Sequence, residues 1–279
     1  MTVPEPHRRF LDSAVARLKA DERLLGVAVA GSWNTGEMDR FSDLDLVIAV
    51  TDDAFDAVML ERPSIARGLG DLLSGFTGEH VGEPRVFICL YGPPLLHVDL
   101  KFVRISDFHD RVEDPEVVWE RSGALTGMLS RSRAHWPPAN LQWIEDRFWT
   151  WIHYGACKVG RGELFEAIDF VAFLRTTVLG PLALTARGHL PRGVRKLESN
   201  VPELIEQFVG TLATHDASSC TGALEQAVRL YRQLRDELAD ASVERRLAAE
   251  RHAVAFLDDI RAETARAARA PIPSSRRLH

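Results

Sequence analysis

The sequence predicts an α+β protein: a small mixed or antiparallel sheet with helices over residues 1–118, followed by an all-helical bundle over 119–279. Three observations predict it. Short runs rich in β-branched residues are confined to the first hundred or so positions, two of them are joined by a Gly-Pro-Pro reversal, and beyond Trp119 the apolar residues recur at helical spacing with no strand pattern.

The elements follow in order. Phe10, Leu11, Ala14, Val15 and Leu18 recur every three or four residues and predict an amphipathic helix. "LLGVAVAG" (24–31) and "DLDLVIAV" (43–50) are short, apolar and bounded by turn formers, hence strands. Residues 54–73 read as a helix broken at Pro63. "RVFICLY" and "LLHVDLKFV" flank Gly92-Pro93-Pro94 and predict an antiparallel hairpin. "SDFHDRVEDPEVVWE" (106–120) loses periodicity and reads as the connection between domains. Leu141, Ile144, Phe148, Trp151, Ile152, Gly155 and Val159 then mark a helix, "VGRG" ends it, and a second apolar helix starts near Glu163. Further helices are expected over 201–213, 221–240 and 243–269, and a loose tail from Ala270.

Composition excludes several classes. With 46% hydrophobic and 27% charged residues the chain is ordinary for a globular protein, and a net charge of −6 argues against a surface that neutralises extended nucleic acid. Cys89, Cys157 and Cys220 lack paired spacing, so neither a disulfide framework nor a structural zinc site is expected. The N-terminus shows no apolar export core, and the greasiest stretch, 165–186, carries Glu166, Asp169 and Arg175, which favours a buried helix over a membrane span. A cytoplasmic location is the expectation.

The chemistry concentrates in "GSWNTGEMDRFSDLDL". Alternation along a strand puts Asp43 and Asp45 on one face and Leu44, Leu46 and Ile48 on the other. Two adjacent carboxylates repel unless a cation lies between them, and an all-oxygen set with open positions suits Mg²⁺ that also holds a substrate's phosphates. The same alternation places His97, Asp99 and Lys101 on one face of the hairpin strand, so Asp99 can meet the pair across neighbouring strands. Gly31 lets backbone approach a phosphate, and Ser32 supplies an amide and a hydroxyl. A P-loop is rejected because Glu37 stands where its lysine belongs.

Gly31-Ser32, ten residues, Asp43-x-Asp45 and a later strand aspartate, with Gly36 four after the serine and Ser42-Asp43 ahead of the second acid, resemble the signature of the polymerase-beta-like nucleotidyltransferase superfamily. The spacing is similar to that of small bacterial antibiotic nucleotidyltransferases of the aminoglycoside and lincosamide type, and the match covers about residues 24–102. The resemblance implies triphosphate binding by Gly31 and Ser32, metal ligation by Asp43, Asp45 and Asp99, and Asp99 as ligand, base or both. It also implies Mg²⁺, ATP or another nucleoside triphosphate as co-substrate, and a small-molecule acceptor as partner. A homodimer is admitted, and neither a membrane nor extended nucleic acid is expected. Transfer of AMP to an acceptor hydroxyl with release of pyrophosphate is the implied reaction; the alternative is a regulatory or toxin-antitoxin-type relative acting on a protein partner.

Some relatives take their base from a helical-domain glutamate followed one turn later by lysine, whereas here Glu145 precedes Trp149 and Asp146 precedes Thr150. Glu145, Asp146, Glu163 and Glu166 are further base candidates, each weighed against an ordinary helix charge. Lys158 is assigned to the nucleotide, and Lys101, Arg104 and Arg161 are further phosphate candidates, each of the four weighed against an ordinary solvated charge. Trp143, Trp149, Trp151 and Tyr154 read as core rather than as a stacking platform.

Overall fold

In the computed structural model, residues 3–269 are described, and the chain divides into two compact units, residues 1–137 and 138–279. The first unit is an α+β layer. Helix α1 (Glu5–Leu18) leads into β1 (Leu24–Val29), β2 (Leu44–Val50), α2 (Phe55–Leu69), β3 (Leu72–Gly78), β4 (Glu83–Tyr91), β5 (Leu96–Arg104), β6 (Glu116–Glu120) and α3 (Ala124–Arg131). The six strands form one mixed sheet in the order β3-β4-β5-β2-β1-β6. Strands β2 and β5 run parallel, and every other neighbouring pair is antiparallel.

Alternation decides which face is core. Leu44, Leu46 and Ile48 of β2 gather with Val98, Leu100 and Phe102 of β5, and with Leu11, Leu18, Val58 and Leu69 from α1 and α2. Each such fully buried aliphatic side chain stabilises the fold by about 1.5–3 kcal/mol. The opposite face is covered more thinly, by Phe108 and by Leu125 of α3 against Ala28, Ala49 and Val103. That cover lies over the C-terminal ends of β2 and β5. Toward their starts the same face carries the half-buried Asp45 and Asp99.

Three local expectations are corrected. Pro63 does not break its helix, which runs unbroken over Phe55–Leu69. Its missing amide leaves the carbonyl of Met59 without a helical donor, and Arg62 Nε donates to that oxygen at 2.8 Å. The stretch read as a connection contributes β6, which pairs with β1 through Val27↔Trp119 and Ala28↔Val117. The 118/119 boundary therefore falls inside a strand. Leu72 and Leu73, read as the end of the helix over 54–73, instead open the edge strand β3.

The second unit is helical: α4 (Leu141–Gly160), α5 (Leu164–Leu174), α6 (Gly180–Ala186), α7 (Leu197–Asn200), α8 (Ile205–Val209), α9 (Ala217–Leu238) and α10 (Leu247–Arg269). A π-helical turn over Arg175–Leu179 joins α5 to α6 just ahead of Pro181. The run Leu164–Ala186 is long and apolar enough to cross a membrane by length and composition, and half of its most apolar window is buried within the protein. Asn140 caps α4 by accepting the Trp143 amide at 2.9 Å, and Asp216 caps α9 by accepting that of Ser219 at 2.8 Å. Ile152, Leu174, Leu182, Leu224 and Leu257 meet in one apolar core. The tail from Ala270 lies outside the described residues.

Candidate active site

Strand pairing assembles the site. Because β1 and β2 are antiparallel, the chain leaving β1 stays beside the start of β2, and the amide of Ala30 donates to the carbonyl of Asp45 at 3.0 Å. Gly31 comes next with φ +67°, a left-handed conformation that a side chain strains. A β-carbon there would lie 3.2 Å from Cγ of Asp45 and overlap its Oδ2. Only glycine lets the turn sit against that carboxylate.

On the other side of β2, the parallel register aligns Asp45 with Asp99. Asp43 directly precedes β2 and, two residues from Asp45, shares its face. The three residues offer carboxylate oxygens that all lie within 4.8 Å of one another. Three anionic groups at that separation repel, and one divalent cation relieves the repulsion while bringing no apolar demand. Burial, opposed by the His97 charge and reinforced by that of Asp43, raises the proton affinity of Asp99. His97 Nε2 stands 3.0 Å from Asp99 Oδ1.

The turn between β1 and β2 has donors to offer. The Ser32 hydroxyl oxygen is buried and has no hydrogen-bond partner, which fits a position where a phosphate oxygen is received. The rest of the loop is pinned: Asp39 Oδ1 accepts the Phe41 amide at 2.8 Å, and His7 Nε2 contacts the Ser42 carbonyl at 2.8 Å, so α1 holds the approach to Asp43. Gly31, Ser32, Asp43, Asp45 and Asp99 are thus brought together within one unit.

Other expected residues have different engagements. Lys101 pairs with Glu83 at 2.9 Å, and Arg104 pairs with Asp56 at 2.7 Å over the Phe55 ring. Lys158 lies on α4 in the helical unit, bridging Glu163 at 2.8 Å and Glu166 at 2.9 Å, and those hydrogen bonds raise its pKa. Glu145 is fully buried. It accepts hydrogen bonds from the Tyr231 hydroxyl, Trp149 Nε1 and the Arg246 amide. Burial would raise its pKa, but those bonds and the Arg235 charge hold it below the usual value. A carboxylate satisfied on this scale is a structural anchor, not a base. Trp149 belongs to the core as expected, whereas Trp151 and Tyr154, with Phe170 and Phe173, line a groove of about 530 Å³ that also includes Glu166 and Asp169.

Sequence reading missed one contributor. Glu113, inside the acidic stretch taken for a connection, accepts the Gly31 amide through Oε1 at 3.0 Å. Its only advance signal was the density of acids in "EDPE", which ordinary linkers share.

No family model matches the chain, and no curated protein matches it. Solved structures similar to it include the following two. An aminoglycoside 6-adenyltransferase from Bacillus subtilis aligns over 95% of this chain and 99% of its own at 15% identity, with a TM-score of 0.35. A nucleotidyltransferase-like protein from Exiguobacterium sibiricum 255-15 aligns over 97% and 96% at 13% identity, with a TM-score of 0.39. At these identities and TM-scores the likeness leaves the activity to be read from the site itself.

Proposed function

We propose that this protein is a nucleotidyltransferase that moves a nucleoside monophosphate from a nucleoside triphosphate, ATP in the first instance, onto a hydroxyl of a small molecule. The observation that carries the reading is the convergence of Asp43, Asp45 and Asp99, with carboxylate oxygens within 4.8 Å of one another, beside the glycine turn at residue 31. The resemblance of the same residues' spacing to the polymerase-beta-like superfamily agrees with it.

In this reading Asp43, Asp45 and Asp99 hold magnesium, which when bound neutralises charge developing on the phosphates and favours ionisation of the attacking hydroxyl. Gly31 and Ser32 receive the triphosphate tail through backbone approach and the unpartnered Ser32 hydroxyl. The acceptor oxygen bonds to the α-phosphorus, the bond to the bridging oxygen of pyrophosphate breaks, and pyrophosphate leaves with the electron pair. The hydroxyl proton passes to Asp99, whose proton affinity burial raises. Lys158, paired with Glu163 and Glu166, would have to leave those carboxylates to reach a phosphate.

For the acceptor we favour a cationic, hydroxyl-rich compound of the aminoglycoside or lincosamide type. A net charge of −6 attracts cations, and the groove on the helical unit combines aromatic walls with Asp169. A cytoplasmic location suits the supply of nucleotide.

The test is label transfer from α-³²P-ATP with Mg²⁺ to a panel of aminoglycosides, lincosamides and proteins. Labelled small molecule with wild type, and none with Asp45→Asn, is expected. Label on protein alone would replace the small-molecule reading with a regulatory one. Equal transfer by wild type and Asp45→Asn would overturn the site.

A further inference from the structure

The chain leaving β5 returns to the turn that ends β1 and straps it. Glu113 Oε1 accepts the Gly31 amide at 3.0 Å, the Asp114 carbonyl accepts from Asn34 Nδ2 at 2.9 Å, and Glu116 Oε2 accepts from the Trp33 indole at 2.9 Å. Arg111 anchors the strap from behind. Its Nε donates to Asp114 Oδ1 at 2.6 Å, and its other nitrogens donate to the Ser132 hydroxyl at 2.6 Å and the Ser132 carbonyl at 2.9 Å.

The placement of Glu113 is electrostatically odd. Its carboxylate sits on the residue that packs directly against Asp45, one member of a cluster of three acids. One of its partners there is a backbone N–H, a donor that favours an anion. The next residue, Ser32, keeps its hydroxyl buried and unpartnered, so the strap satisfies one donor of the turn and leaves the other. Half of an anion site is thus filled by the protein's own carboxylate.

We infer that Glu113 is an internal stand-in for a phosphate group and a determinant of nucleotide affinity: it holds the Gly31 amide in the free protein and gives it up when a triphosphate tail arrives. This rests on the reading that Gly31 and Ser32 receive the triphosphate. One amide hydrogen cannot serve both anions, and a carboxylate left in contact with a polyphosphate repels it. Binding therefore requires exchange, and the apparent affinity falls by the fraction of molecules already open.

The experiment titrates magnesium tripolyphosphate into the full chain by calorimetry, for wild type, Glu113→Gln, Glu113→Ala and the control Glu116→Gln, with hydrogen exchange followed over residues 111–116. Glu113→Gln keeps an acceptor for the amide and drops the charge, so it separates repulsion from loss of turn structure. A charge-assisted hydrogen bond of about 1.5–3 kcal/mol corresponds to roughly tenfold or more, so about tenfold tighter binding by Glu113→Gln is expected, with Glu116→Gln near wild type. In wild type, tripolyphosphate should speed exchange over 111–116. Equal or weaker binding by Glu113→Gln, at an unchanged melting temperature, overturns the inference and leaves Glu113 a brace of the turn. Tighter binding with no label transfer to any acceptor keeps the inference and sinks the transferase reading. Absence of binding by every folded variant removes both.

Discussion

The α-carbon of Gly31 and the carboxylate of Asp45 occupy the same corner so closely that a β-carbon on residue 31 would lie 3.2 Å from Cγ of Asp45 and overlap Oδ2. Gly31→Ala therefore faces two costs, a left-handed backbone of about 1–2 kcal/mol and displacement of the carboxylate. We expect a lowered melting temperature together with at least about tenfold weaker binding of Mn²⁺, used as a spectroscopic substitute for magnesium. A variant with wild-type Mn²⁺ affinity would show that the turn and the carboxylate are independent.

The acid cluster predicts opposite signs with and without metal. In chelator, Asp45→Asn should melt at or above the wild-type temperature, because it removes one of three mutually repelling charges. In Mg²⁺ at a hundred times its dissociation constant, wild type should gain about 2.7 kcal/mol and Asp45→Asn should gain little. Thermal melts of both proteins in both buffers check the crossover.

Glu145 and Arg235 form the buried heart of the helical unit, with side chains 0% and 4% exposed and Arg235 also paired with Glu250 at 2.8 Å. Replacing Glu145 with Leu leaves the Tyr231 hydroxyl, the Trp149 indole and part of the Arg235 charge without their partner. We expect a loss of about 3 kcal/mol in urea denaturation. Per folded molecule, Mn²⁺ binding should be unchanged. A selective loss of transfer with intact stability would restore Glu145 as a base.

Acid should act through Glu83. Hydrogen bonds from Arg85, reinforced by Lys101, hold its pKa down at about 2 against an ordinary 4.5, in spite of partial burial. A group whose folded pKa is depressed contributes stability that is present above the unfolded value and lost as the pH falls toward the folded one. Wild type should therefore lose stability between about pH 4.5 and 2, and Glu83→Gln should show a shallower slope across that window in acid-dependent melts. Identical slopes would mean that solvent screens the pair.

Much of this was legible along the chain because it depends on local periods. The strand period of two puts Asp43 with Asp45 and Leu44 with Leu46, and the helical period marks α1, α4, α9 and α10, whatever else the chain does. The Gly-Pro-Pro reversal likewise announced the β4–β5 hairpin. Local rules failed in two ways. Pro63 stays helical while its neighbour Arg62 donates to the freed Met59 carbonyl, and β6 becomes a strand because the distant edge of β1 recruits it.

Residue order alone thus specified which side chains share a face, and with them the α+β architecture and the aspartate pair. Three relationships depend on how the chain closes in space: the alignment of Asp45 with Asp99, the return of Glu113 to Gly31, and the burial of Glu145 against Tyr231 and Arg235. Their partners lie tens of residues apart. Nothing in a short window encodes them, since each is settled by the register and packing that bury the most apolar surface while pairing most buried polar groups.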